Sequence, residues 1–208
     1  MKKIICIFSL ILCTVLFAQD YSFNRLVQYE ENNENTIQLY FNTENPDYYL
    51  HLIDNKKGEY AEIFDKKAMQ IHHFQVTPLQ KENGLIYEYK YLKTKKLPSY
   101  NSAKNQIQYE FTTQRDDKYY RFSELNFYHH ENSTSFLKAD LTMRYTEENL
   151  FNAFNLCCLL GFDQWNSVQT DAKFVVVRAR VVDEKSNEFN YKLIDDQHVQ
   201  FKLRVNQK

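Results

Sequence analysis

Glycine is almost missing from this chain, with 3 in 208 residues, where an average protein carries roughly 7%. Gly58, Gly84 and Gly161 also lie far from one another. The dinucleotide loop, the phosphate-cradling loop and the nucleophile elbow each need close-set glycines to bring backbone near a phosphate or to strain a serine. Nucleotide chemistry and the α/β-hydrolase mechanism are therefore not expected.

Long apolar runs are equally scarce. The longest, Ile4 to Phe17, has 14 residues, follows Lys2 and Lys3, and ends in Ala18, Gln19 and Asp20. A membrane-spanning helix needs roughly 20 apolar residues. The order charged, greasy, small is that of a secretory signal. Residues 1–18 are read as a cleaved signal peptide and 19–208 as one antiparallel β domain. Leu10, Ile11 and Leu12 before Cys13 are too large for a lipid-attachment site, so no lipid anchor and no transmembrane segment is expected in the mature chain. The destination is periplasmic, cell-surface or secreted.

Removing the leader takes away Lys2, Lys3, Cys6 and Cys13, leaving 24 basic against 27 acidic residues, a net of −3. Nucleic-acid binding needs a basic face to displace counterions from phosphates, and is not expected. Only Cys157 and Cys158 remain, so no disulfide framework exists, although an oxidising compartment would permit one. About 190 residues bury a core without such staples.

What the chain has in abundance is aromatic residues, 16 Tyr and 16 Phe, set in short runs of period two. In "GLIYEYKY", Leu85, Tyr87, Tyr89 and Tyr91 share one face and Ile86, Glu88 and Lys90 the other. Ile37, Leu39 and Phe41 alternate in the same way, as do Val175, Val177, Ala179 and Val181. Half-buried strands read so. Turns are expected at clusters of Asn and Asp, including Asn32 with Asn33, Asn45 to Asp47, Asp116 with Asp117, and Asp195 with Asp196, because these side chains bond nearby backbone and tolerate left-handed geometry.

One segment breaks the alternation. Thr146 is positioned to cap a helix with Glu147 and Glu148 in its first turn and Gly161 as its stop. Leu150, Phe151, Phe154, Cys157 and Cys158 recur at helical spacing along it. Adjacent Cα atoms lie about 3.8 Å apart, below the disulfide range, and both thiols are expected reduced and buried. The polar stretch Lys93 to Asn105 divides possible halves 20–92 and 106–208.

The expected fold is mainly β: an antiparallel curved sheet or open barrel, or a sandwich, of roughly a dozen strands, with one α-helix over about 147–160 packed on or inside the sheet. In architecture alone this resembles lipoprotein-carrier and other periplasmic lipid-binding scaffolds.

No catalytic, metal or cofactor site emerges. His72 with His73, and His129 with His130, point to opposite strand faces, so neither pair chelates alone. Thr134 stands where the helical zinc-protease motif needs its second histidine. Lys56 spoils a calcium loop at Asp54 to Asp65. Adjacent acids such as Glu147 and Glu148 do not face across a cleft as glycosidase carboxylates must.

The positive signal is tyrosine. Tyr87, Tyr89, Tyr91 and Tyr109 are the candidate ligand-binding residues, since a phenol offers apolar area and a hydroxyl to lipid, glycan or peptide. Lys93, Lys95, Lys96 and Lys104 are further candidates for anionic lipid or glycan. The expected function is a non-enzymatic binding or carrier protein of the cell envelope for an apolar or amphipathic ligand. A carrier of this kind requires a continuous apolar cavity beneath the helix. The alternative is an envelope adaptor acting through protein–protein contacts, and a hydrolase ranks third.

Overall fold

The computed structural model describes residues 18–55, 58–81, 84–97, 107–129, 134–159, 168, 170 and 173–206. The leader, Gly161, His130 and Lys104 lie outside them. Among the described residues eleven antiparallel strands form one sheet: β1 (Ala18–Glu31), β2 (Asn35–Phe41), β3 (Tyr48–Asn55), β4 (Gly58–Asp65), β5 (Gln70–Lys81), β6 (Gly84–Lys96), β7 (Gln108–Asp116), β8 (Tyr120–Tyr128), β9 (Leu137–Tyr145), β10 (Phe174–Asp183) and β11 (Glu188–Asn206). Their spatial order is β6-β5-β4-β3-β2-β1-β11-β10-β9-β8-β7. The antiparallel β class expected from the alternation is thus what the chain forms.

The turns follow the expected chemistry at several sites. Asn32 and Asn33 both take positive φ, 51° and 59°, the two left-handed residues that a tight β-hairpin of matching twist demands. The Asn45 side-chain oxygen accepts from the Asp47 N–H, and the Asp117 carboxylate from the N–H groups of Tyr119 and Tyr120. Asp195 and Asp196 are the exception. They lie inside β11, where the register to β1 slips between Gln28 and Tyr29. Pairing with β1 on one side keeps the chain extended through this pair, so two expected strands become one of 19 residues.

Connectivity requires the sheet to roll. β6 and β7 are consecutive in sequence yet occupy opposite edges. Ten spacings of about 4.8 Å would part them by roughly 48 Å in a flat sheet, while the twelve Cα steps from Lys96 to Gln108 span at most about 43 Å. Curvature gives two cores. Val27, Tyr29, Leu39, Phe41 and Tyr49 join β8 to β10 and the helical segment in the first; Tyr21, Phe23, Leu50, Leu52, Ala61, Ile63, Phe74 and Val76 build the second. β3 is shared, with Tyr49 facing one core and Leu50 and Leu52 the other.

The helix is shorter than expected. α1 covers only Phe151–Phe154, and a π-helical turn, Asn155–Leu159, continues it. The backbone N–H groups of Thr146 and Leu150 donate to Lys173 and Phe174 at the start of β10. That bonding holds residues 146–150 against the sheet, out of helix. Thr146 therefore does not cap; its hydroxyl donates to the Glu148 carbonyl, and Asn149 accepts the Phe151 N–H at 3.1 Å. Glu148 instead reaches Arg25, which also binds Asp196, at 2.6 and 3.1 Å.

Beneath α1 the core is filled. Leu150, Phe151 and Phe154 are wholly buried, and Phe154 packs its ring edge-on against Tyr29 and Tyr191, at 5.3 and 5.9 Å. Beside it lies a gap of about 60 Å³, bordered by Tyr49, Ala153 and Leu156. The described residues leave no continuous apolar cavity there. Cys157 and Cys158 are free thiols, as expected, but only Cys158 is buried; Cys157 is half-buried. The i→i+5 bonding of the π-turn shifts side chains off the α-helical stripe, which explains the difference.

Candidate functional site

Strands β2 to β6 are rolled so that one face becomes concave, and tyrosines line it. Along β4, β5 and β6 the pairing places Glu59, Val76 and Tyr89 in one cross-strand row, with Ala61, Phe74 and Tyr91 in the next. Period-two geometry puts all six on the same face. Tyr87, Tyr89 and Tyr91 are half-buried against the second core.

Residues remote in the sheet close over this face. Tyr40 of β2 and Tyr89 of β6, four strands apart, are brought close enough for each to raise or lower the other's hydroxyl pKa. Phe201 of β11 lies between them, its ring centroid 5.3 Å from Tyr40 and 5.2 Å from Tyr89, and stacks on Phe23 at 5.6 Å. Burial pushes the Tyr40 and Tyr89 hydroxyls above the ordinary phenol range, and neighbouring Tyr87 adds to both. They act as neutral groups. Glu59 supplies the one carboxylate in this set, and its Oε2 is buried without a hydrogen-bond partner among the described residues.

Deeper in the same core is a polar relay. Asp65 accepts from Gln19 at 2.6 Å and from the Tyr21 hydroxyl at 2.7 Å. Tyr21 contacts His72 Nε2 at 2.7 Å, His72 Nδ1 contacts Thr94 at 2.7 Å, and Thr94 contacts the Tyr91 hydroxyl at 2.7 Å. The proton order follows from counting. Tyr21 has one hydrogen and gives it to the carboxylate, so His72 Nε2–H must donate to Tyr21 and Nδ1 must accept from Thr94, which accepts from Tyr91. Every donor points towards Asp65. Burial holds His72 below its ordinary pKa, against the opposing pull of Asp65. Tyr21 and His72 are 1% and 0% exposed, so the middle of this array is closed to solvent, while Tyr91 and Thr94 at its end are half-buried.

The fourth predicted tyrosine is elsewhere. Tyr109 lies in β7, at the opposite edge from β6, on the strand face of Phe111, which packs on the first core. Alternation gave each tyrosine its strand face but not the distance between strands. Tyr40, Glu59 and Phe201 were missed for the same reason: no local signal says which strands meet across a roll.

The other candidates resolve individually. His73 pairs with Glu62 at 2.9 Å and His129 stacks on Phe136 at 4.2 Å. Among the described residues no group of three or more His, Cys, Asp or Glu is placed to hold a metal. Asp116 binds Arg121 and Tyr145. No protein-family model matches this chain, and no curated protein matches it.

A second concavity, about 400 Å³, lies across β8 to β11, bordered by Glu30, Phe122, Asp140, Arg178, Arg180 and Lys192. It is open and carries both signs of charge. Arg180 is already engaged by Asp140 and Glu188, at 3.7 and 2.8 Å.

Proposed function

We propose that this chain is an exported, non-enzymatic binding protein of the cell envelope that holds an apolar or amphipathic ligand on its tyrosine-rich concave face. One observation carries the reading: Tyr40, Tyr87, Tyr89 and Phe201, from three separated strands, converge at the half-buried mouth of the second core. Rigid phenols give contact area at low entropy cost and keep a hydroxyl for orientation. The filled core beneath α1 counts against a carrier that encloses its ligand under the helix, so the reading is confined to binding against this sheet face.

Export rests on the leader's residue order. Native mass spectrometry of protein purified from its own host tests both parts. The expected result is a chain beginning at Gln19 that carries a small molecule, lost on Tyr89→Ala. An uncleaved chain refutes export; a bare chain that takes up no amphiphile refutes binding.

An adaptor role has its own support. Eight of nine residues in edge strand β7 are exposed, and its sequence has no lysine or proline to discourage strand addition. Crosslinking in the envelope would then recover a second protein through β7.

A further inference from the structure

The unpartnered oxygen of Glu59 asks for an occupant. The large majority of buried side-chain polar atoms have a hydrogen-bond partner, so a buried carboxylate oxygen without one calls for a physical explanation. No lysine, arginine or histidine among the described residues pairs with Glu59, because none of the ion pairs involves it. A hard metal ion would need several oxygen ligands, and no group of acids or histidines gathers here among the described residues.

What does gather is aromatic. Tyr89 shares the cross-strand row of Glu59, its hydroxyl lies near that of Tyr40, and Tyr87 and Phe201 adjoin both. The π-faces of such rings attract cations, most strongly where water is excluded. An organic ammonium suits this setting better than sodium or potassium. A quaternary ammonium is weakly hydrated and enters a half-buried site at small desolvation cost, whereas a lysine ammonium is strongly hydrated; the carbon substituents of either pack on the rings. One carboxylate then balances one charge.

We infer that the tyrosine-lined mouth formed by Tyr40, Tyr87, Tyr89 and Phe201 binds the organic ammonium group of its ligand, with Glu59 as the counter-charge. The inference rests on the proposed binding function and gives its ligand a chemistry: an amphiphile, or a peptide, whose polar end is cationic. Glu59 sets charge preference, and the rings set the preference for an alkylated nitrogen over a bare ion.

Calorimetric titration of the mature chain with choline, with Nα-acetyl-lysine amide and with the neutral isostere 3,3-dimethylbutanol tests this. Choline is expected to bind saturably and at least tenfold more tightly than the isostere, with that preference abolished in Glu59→Gln. Circular dichroism of Glu59→Gln checks that the fold is kept. Tighter binding of the lysine derivative than of choline assigns the source to a peptide side chain; the reverse assigns it to a small quaternary headgroup. Equal binding of choline and the isostere, or an unchanged preference in Glu59→Gln, overturns the cation inference and leaves the binding function standing. If no probe binds, and no amphiphile does, both fall.

Discussion

Removing a single oxygen from Tyr21 tests the directed relay. The hydroxyl serves two buried groups at once, donating to Asp65 at 2.7 Å and accepting from His72 at 2.7 Å. In Tyr21→Phe, Asp65 loses one of its donors but keeps Gln19 and the Ala68 N–H, so that loss lies near the low end for a charged acceptor, about 1.5 kcal/mol. His72 Nε2–H is left buried with no acceptor, which costs about 1–3 kcal/mol more. The sum is about 2.5–4.5 kcal/mol, or a fall of about 5–18 °C in Tm for a chain of this size. Tyr29 is the internal standard. It is equally buried, and its hydroxyl makes one neutral bond, to the Val176 carbonyl at 3.0 Å; Tyr29→Phe should cost about 1 kcal/mol. Urea unfolding of both variants gives the comparison, with equal slopes required so that the midpoints report stability. If Tyr21→Phe costs no more than Tyr29→Phe, the relay has no directional content and the proton order deduced for His72 is wrong.

Three further outcomes are expected. His72 and His51 are both held below their ordinary value of 6.5, each chiefly by burial; the unfolded chain therefore binds more protons just below pH 6.5, and stability should fall as pH drops from 7 towards 5. Unfolding midpoints measured across that range check this, and a flat or rising profile contradicts it. Burial pushes the Cys158 thiol well above its usual range, with the Cys157 contact adding to it, so a thiol reagent should label the native chain at Cys157 first and reach Cys158 only on unfolding; rapid labelling of both refutes the packing. Arg25, 8% exposed, bridges Glu148 and Asp196, and Arg25→Met should cost about 3 kcal/mol by taking this partner from Glu148 and leaving Asp196 with Arg144 at 3.6 Å. A loss under about 1 kcal/mol in thermal unfolding would make the triad a surface contact.

The sequence by itself determined the class of fold and the side on which each strand residue lies. Period two is a local property of extended backbone, so Tyr87, Tyr89 and Tyr91 could be assigned one face before any strand was paired. Turn chemistry is local too, and Asn32 and Asn33 adopt the left-handed geometry that their side chains tolerate. Tertiary structure alone decided which strands meet. Tyr109 was separated from the other tyrosines because β6 and β7 became opposite edges. Helix was removed from residues 146–150 because their backbone donors found β10 first, and Asp195 and Asp196 stayed extended because β1 pairs alongside them. Glu59 looks in sequence like any strand carboxylate. Only the roll that brings Tyr40 and Phe201 to Tyr89 sets aromatic rings beside its cross-strand row, because strand order and curvature are set by contacts between residues far apart in the chain.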